Sequence, residues 1–214
     1  MEFWNPGGLH LLKHPFYRDW MEGKLSRETL RDYAAQYFRH VEAFPRYLEA
    51  AIAKCPDARA RQVLAENLAD ENGTTHGTSH PELWLRFAEG VGAPRAEVNA
   101  ATPRIGIRRV IDSFQNFANG SPAQALGSLY AYESQVPEVA HSKIEGLRQN
   151  YGIEDERTLS FFEVHKVADV AHREVLERLL SELAPEAQRE AREAAEVSAR
   201  ALWDFLSDVH TARA

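Results

Sequence analysis

His165, Asp169 and His172 form an H-x3-D-x2-H run. At about 100° of rotation per helical residue the three positions fall within about 60° of one another, on the stripe that also carries Phe161, Phe162, Ala168, Leu176 and Leu179. Glu163, Lys166, Arg173, Glu174 and Glu177 take the opposite side. Two imidazoles and a carboxylate therefore point into a dry face, where charge is destabilising unless something compensates it. A divalent metal does so, because neutral imidazole and ionised carboxylate are both good ligands for iron, manganese or zinc.

Further ligands must come from other segments. Glu133, in Leu129-Tyr130-Ala131-Tyr132-Glu133-Ser134-Gln135-Val136-Pro137, is an acid flanked by aromatics in an apolar helix. Glu71 and His80 are nine residues apart, on opposite sides of any continuous helix, but Gly73 and Gly77 lie between them. A break at Asn72-Gly73 lets Glu71 end one helix and His80 begin the next, facing a common point, with His76 a rival for either role. Taken alone, the H-x3-D-x2-H run equally suits an internally hydrogen-bonded His-Asp network, and the combination is what favours metal. Three carboxylates and three imidazoles carry about −3 of charge, which two cations convert to a positive centre; thiolate-free ligation with open positions suits iron or manganese and oxygen chemistry. Glu138-x2-His141 imitates the E-x2-H of ferritin-like bundles, but that site needs two copies and only one occurs, so the pair reads as incidental.

The elements that must position these groups read as helices throughout. No alternating β-branched run suggests a sheet, so the fold class is all-α. A first helix is predicted over about 8–24, and a long second one is capped by Ser26, passes through Tyr33, Tyr37, His40, Phe44 and Tyr47, and bends at Pro45. Asp57 opens a third that ends near Asn72-Gly73, and the next starts around Ser79-His80-Pro81-Glu82. Others are predicted over 102–119, 121–150 and 154–183, and from Pro185 to near the end, where Leu202, Trp203 and Phe205 read as packing.

The 214 residues, 44% hydrophobic with 12 Gly and 10 Pro, suffice for one domain with a substantial core. A net charge of −7 with dispersed basic residues argues against nucleic acid and against an anionic membrane surface. The sequence shows no signal-like start and no apolar span, and lone Cys55 excludes an internal disulfide or a thiolate zinc cluster, so a cytoplasmic location is predicted. A homodimer is among the assemblies open to it.

The chain resembles the heme-oxygenase-like superfamily, and within it the dinuclear-metal oxidases of the chlamydial death-domain-associated protein type. The resemblance rests on Lys13-His14-Pro15-Phe16-Tyr17, Gln36-Tyr37-Phe38-Arg39-His40-Val41-Glu42-Ala43-Phe44-Pro45, Asp70-Glu71, His80-Pro81-Glu82-Leu83-Trp84, Tyr132-Glu133, and Phe161-Phe162-Glu163-Val164-His165 with Asp169 and His172. It implies one compact domain over 1–214, a bundle of about seven helices, and two metals, Fe/Fe or Mn/Fe, held by Glu71, His80, Glu133, His165, Asp169 and His172 without heme. It also implies a synthase of para-aminobenzoate for folate biosynthesis that consumes molecular oxygen, an external reductant and one of its own tyrosines. By position the sacrificed residue is Tyr17, a further site tyrosine is Tyr132 and the amine donor is Lys143. A third tyrosine expected one turn before His165 is Phe161 here, which cannot be oxidised at comparable potential.

Lys143 stands ten residues after Glu133, about 15 Å along an ideal helix, so a kink at Pro137 is needed to bring it near the metals. Tyr17 could equally be a core tyrosine with a hydrogen-bonded hydroxyl. Competing functions are a dimetal oxidase of an external small molecule, a heme protein using His14, a thiaminase-like enzyme for which Cys55 lacks an evident base, and a non-enzymatic adaptor binding death-domain-like helices.

Overall fold

The computed structural model describes residues 3–74 and 77–212, and of residues 167–171 only the helical backbone. Among the described residues there are ten α-helices and no strand: α1 (Pro15–Met21), α2 (Arg27–Lys54), α3 (Ala58–Glu71), α4 (His80–Gly90), α5 (Arg95–Ala100), α6 (Ile105–Ala118), α7 (Pro122–Glu133), α8 (Val136–Tyr151), α9 (Glu156–Ser181) and α10 (Pro185–Thr211). The all-α expectation holds, with about ten helices in place of seven. The segment read as a first helix over 8–24 is two 3-10 turns, Gly7–Leu9 and Leu11–Lys13, followed by the short α1. His14 ends the second turn with extended backbone, and its Nδ1 caps α1 by accepting from the Phe16 amide.

Start signals in the sequence correspond to real caps. Ser26 accepts from the Thr29 amide, Asp57 from Ala60 and Asp155 from Thr158, each satisfying a donor that the first turn leaves open. Ser121 and Gln124 form a reciprocal capping box at α7. Pro45 lies inside α2, which continues through it as one helix from Arg27 to Lys54.

Every residue of α7 from Ala125 to Glu133 is buried, as a helix apolar on all sides must be. Small residues let its neighbours close in: a methyl on Gly127 would overlap the Ala191 backbone of α10, the helix with which α7 makes its most extensive contact. Glu133 is thereby delivered to the centre of the bundle at the end of its innermost helix.

The predicted helix over 121–150 is instead two. Pro137 lacks the amide that would bond the Glu133 carbonyl, and α8 starts at Val136 with Pro137 in its first turn. Gln135, itself buried, stitches the break: Nε2 donates to the Ala131 carbonyl at 2.9 Å and Oε1 accepts from the Leu11 amide at 2.8 Å. The joint redirects α8 back along α9 and α1, which carries Lys143 toward the centre.

Candidate metal centre

The turn after α3 does what its glycines suggested. Gly73 has φ +73°, a left-handed conformation, and a β-carbon there would overlap the backbone of Thr78 and Ser79. The chain folds back, and Glu71 at the end of α3 meets His80 at the start of α4 with 2.9 Å between Oε1 and Nδ1. His165, from the middle of α9, joins them: one ligand atom from each of Glu71, His80 and His165 lies within 4.8 Å of the other two. All three are buried, at 5%, 3% and 2% exposure, so a carboxylate and two imidazoles share a nearly dry volume, an arrangement that could hold a cation.

His165 is set in its ligating form by its own helix. Nδ1 donates to the Phe161 carbonyl at 2.7 Å, which leaves Nε2 for the site. Burial holds its pKa well below the ordinary histidine range, reinforced by His80, His172 and Lys143. A neutral imidazole is the form that binds metal.

A second group adjoins the first. Glu133 Oε2 lies 3.6 Å from His172 Nδ1, and His172 Nε2 lies 3.4 Å from Asp70 Oδ2. Asn67 Nδ2 donates to Glu133 Oε1 at 2.6 Å. The last turn of α3 thus serves both groups, with Glu71 in one and Asn67 and Asp70 in the other, a juxtaposition that i, i+3, i+4 spacing allows. Of the six residues read from the sequence, the structure gathers Glu71, His80 and His165 in one cluster and Glu133 and His172 beside it. The side chain of Asp169 and the whole of His76 lie outside the described residues. The donor set of imidazoles and carboxylates, buried and free of thiolate, fits iron or manganese.

Beside His165 is a cavity of about 20 Å³ walled by Tyr17, Tyr37, Tyr132, Lys143, Phe161 and Trp84, among others. Lys143 is 4% exposed, and its ammonium position sits over a ring of aromatics: 4.7 Å from the centroid of Tyr33, 5.0 Å from Phe162, 5.5 Å from Trp84 and 5.6 Å from Tyr17. Burial pushes its pKa down to about 7. Its Nζ hydrogen-bonds the Tyr33 hydroxyl at 2.5 Å. Tyr33 is also bonded to Tyr17, whose phenol burial holds well above its ordinary range and so protonated. Tyr132 is bonded to Tyr37 in the same wall.

The sequence reading missed Tyr33, Asn67 and Asp70. In the sequence Tyr33 belongs to the apolar face of α2, and its polar tip is visible only once α8 brings Lys143 to it. The incidental pair is incidental: His141 is exposed beside Glu145, and Glu138 pairs with Arg173. His14 has both ring nitrogens engaged, Nδ1 with the Phe16 amide and Nε2 with Ser207 Oγ at 2.9 Å. Cys55 is buried and free, with Sγ 3.7 Å from the Asp57 carbonyl.

Among the described residues no helix is long and apolar enough to cross a membrane. The fold resembles that of a domain from Shewanella denitrificans described as having a heme oxygenase-like fold, with a TM-score of 0.81 at 18% identity, covering 97% of this chain and 88% of that one. In sequence the chain is 40% identical to a 4-aminobenzoate synthase of Nitrosomonas europaea, over 94% of this chain and 86% of the relative. It is 35% identical to a 4-aminobenzoate synthase of Chlamydia trachomatis, over 92% and 85%. Residues 31–204 match the family described as iron-containing redox enzyme. With a heme oxygenase-like bundle around a buried cluster of imidazole and carboxylate, the chain belongs to that family.

Proposed function

We propose that the chain is an oxygen-activating dinuclear oxidase, Fe/Fe or Mn/Fe and without heme, that makes 4-aminobenzoate for folate biosynthesis from its own tyrosine. One observation carries the reading: Tyr17 and Lys143, a ring and an amine, wall the same cavity as His165, and that cavity holds about 20 Å³. An external substrate of drug-like size needs roughly 300 Å³ or more, whereas this space suits a diatomic gas or one water. The aromatic ring and the nitrogen of the product are already inside. Relatives at 35–40% identity that are themselves 4-aminobenzoate synthases support the same conclusion.

Glu71, His80, Glu133, His165, Asp169 and His172 would hold the two ions. When bound, the ions supply oxidising power from molecular oxygen, with an external reductant providing electrons. The chain's own residues do the rest. Tyr17 is held protonated in an apolar wall, oriented by Tyr33. Lys143, with a pKa near 7, is about half neutral at that pH and so presents a nucleophilic amine where an ordinary lysine would be almost wholly charged. Phe161 and Trp84 exclude water, and Tyr132 holds Tyr37 in the wall. A second assignment of the consumed ring has a specific observation in its favour: Nζ is closer to Tyr33, 4.7 Å from its centroid, than to Tyr17 at 5.6 Å.

The test is a mass balance. Protein reconstituted anaerobically with iron, or iron and manganese, then given oxygen and reductant, should release at most one 4-aminobenzoate per chain, and one tyrosine peptide should lose its side-chain mass. Tyr17→Phe should release none while Tyr33→Phe still reacts; the reverse pattern moves the sacrifice to Tyr33. Product severalfold in excess of protein, or unlabelled product from a chain carrying ring-labelled tyrosine, would mean that an external substrate is used and would overturn the proposal.

A further inference from the structure

The segment ahead of α1 lies along α10 with a cleft of about 470 Å³ between them, walled by Trp4, Pro6 and Leu9 on one side and by Glu196, Arg200 and Trp203 on the other. Small-molecule sites hold roughly 300–1,000 Å³, so this cleft is of ligand size whereas the cavity beside Tyr17, at about 20 Å³, is not. Glu196, Arg200 and Trp203 stand at i, i+4 and i+7, which puts them on one stripe of α10. Arg200 is exposed and has no ion pair or hydrogen bond among the described residues, whereas Arg192, about two turns earlier, bonds the Phe3 carbonyl and Gln188. Glu196 is spaced to pair with Arg200 and does not. The indole N–H groups of Trp4 and Trp203 have no acceptor among the described residues, whereas those of Trp20 and Trp84 donate to backbone carbonyls. Both cleft indoles are half-buried; Trp4 meets no other ring among the described residues, and Trp203 meets His14 edge to face at 4.6 Å.

Each of these groups alone is an ordinary solvated side chain. Together they set a pattern: aromatic faces in a concave wall, an unpaired guanidinium at one end and an unpaired carboxylate one helical turn away. We propose that this cleft binds 4-aminobenzoate, with its carboxylate on Arg200, its ring against Trp4 and Trp203 and its aryl amine donating to Glu196. Four residues of α-helix rise about 6 Å, and the nitrogen and carboxylate carbon of this ligand are likewise about 6 Å apart across the ring. A guanidinium receives a carboxylate through two parallel hydrogen bonds, and an aryl amine, uncharged at neutral pH, has N–H groups to give to a carboxylate. The identity of the occupant rests on the synthase reading above; the preference of the cleft for a flat ring bearing a carboxylate and a donor does not.

The position of the cleft relates it to the chemistry inside. Product formed beside Tyr17 has to cross the wall of its cavity, and Leu11 is the residue of that wall that no α-helix carries. Leu11 faces the cavity with its amide bonded to Gln135, and Leu9, two residues earlier in the same segment, lines the cleft. On the α10 side, Trp203 packs against His14, whose ring caps the helix that bears Tyr17. A ligand held between the segment and α10 therefore fastens the segment over the Tyr17 cavity from outside.

Calorimetric titration of the full chain with 4-aminobenzoate, kept anaerobic so that no product forms, reads binding without turnover, and its failure leaves the oxidase reading standing. The parent should take up one equivalent. Arg200→Gln, at an exposed position where folding is not at stake, should weaken binding about tenfold, and Trp4→Ala should do likewise. Benzoate, which lacks the amine, should bind the parent less tightly than 4-aminobenzoate, and Glu196→Leu should erase that preference. Aniline, which lacks the carboxylate, should bind parent and Arg200→Gln equally weakly. Amide hydrogen exchange locates the ligand: the Leu9 and Leu11 amides should exchange more slowly in the liganded parent and show no such slowing in Arg200→Gln at the same ligand concentration. No saturable binding below about 10 mM, affinity unchanged in Arg200→Gln, or equal affinity of the parent for benzoate and 4-aminobenzoate would overturn the proposal.

Discussion

Lys143→Met should stabilise the protein at neutral pH while abolishing its chemistry. Lys143 is 4% exposed, and its pKa is pushed down to about 7 by burial alone. An unfolded lysine titrates near 10.4, so the gap corresponds to about 4–5 kcal/mol at about 1.4 kcal/mol per tenfold. The sign follows from proton counting. Below about pH 7 both states hold the proton and the folded state bears the full penalty. Between about 7 and about 10.4 the unfolded state binds more protons than the folded one, so parental stability rises with pH relative to the variant. Above about 10.4 both are neutral and the penalty is gone. Methionine fills a similar volume and carries no charge, so the variant lacks this dependence.

Urea denaturation of parent and Lys143→Met at pH 6, 7.5 and 9 measures the difference directly. The variant should be the more stable at pH 6 by a few kcal/mol, reduced from the full figure because the parent's cation packs over aromatic faces and bonds Tyr33. That advantage should shrink by about 2–3 kcal/mol between pH 7 and pH 9. The variant should bind metal normally and make no 4-aminobenzoate. A difference independent of pH, or a parent more stable than the variant at pH 6, would refute the view that Lys143 is held nearly neutral by an apolar cage.

His165→Ala or His172→Ala should each lose most bound metal and all oxygen-dependent product while circular dichroism shows helical content largely intact, because the bundle rests on apolar packing; full metal occupancy in His172→Ala would remove that residue from the site. Asn67→Leu should weaken metal binding about 10–100-fold by freeing the Glu133 carboxylate that it orients, with Asn67→Gln recovering part of the loss. Calorimetric titration with iron(II) or manganese(II) reads this directly, and unchanged affinity in Asn67→Leu would assign Asn67 a packing role alone.

What was legible in the sequence was what periodicity and backbone rules determine locally. The stripe through Phe161, Phe162, His165, Leu176 and Leu179 is buried as helical rotation requires, because the period of an α-helix is fixed whatever packs on it. Glu71 and His80 meet because glycine is the residue that accepts φ +73° at the turn between them. The joint between α7 and α8 was harder. A proline early in a helix and a proline kinking one look alike in sequence, and the deciding contact, Gln135 with Leu11, joins residues 124 apart.

The least legible residues are those whose role depends on that joint. Once α8 is redirected, Lys143 is no longer about 15 Å up a helix from Glu133 but sits opposite α2, and Tyr33 becomes its hydrogen-bond partner. A tyrosine in a heptad-like run of α2 carries no mark of this, since aromatic core residues and reactive ones have the same local pattern. The same holds for Trp20 and Trp84. Each reads as a large apolar side chain and each is fully buried, yet their indole N–H groups bond to backbone carbonyls and their faces meet other oxidisable rings. In this bundle the aromatic core is the wall that keeps water from Lys143, and it decides which hydroxyl, that of Tyr33, reaches the amine.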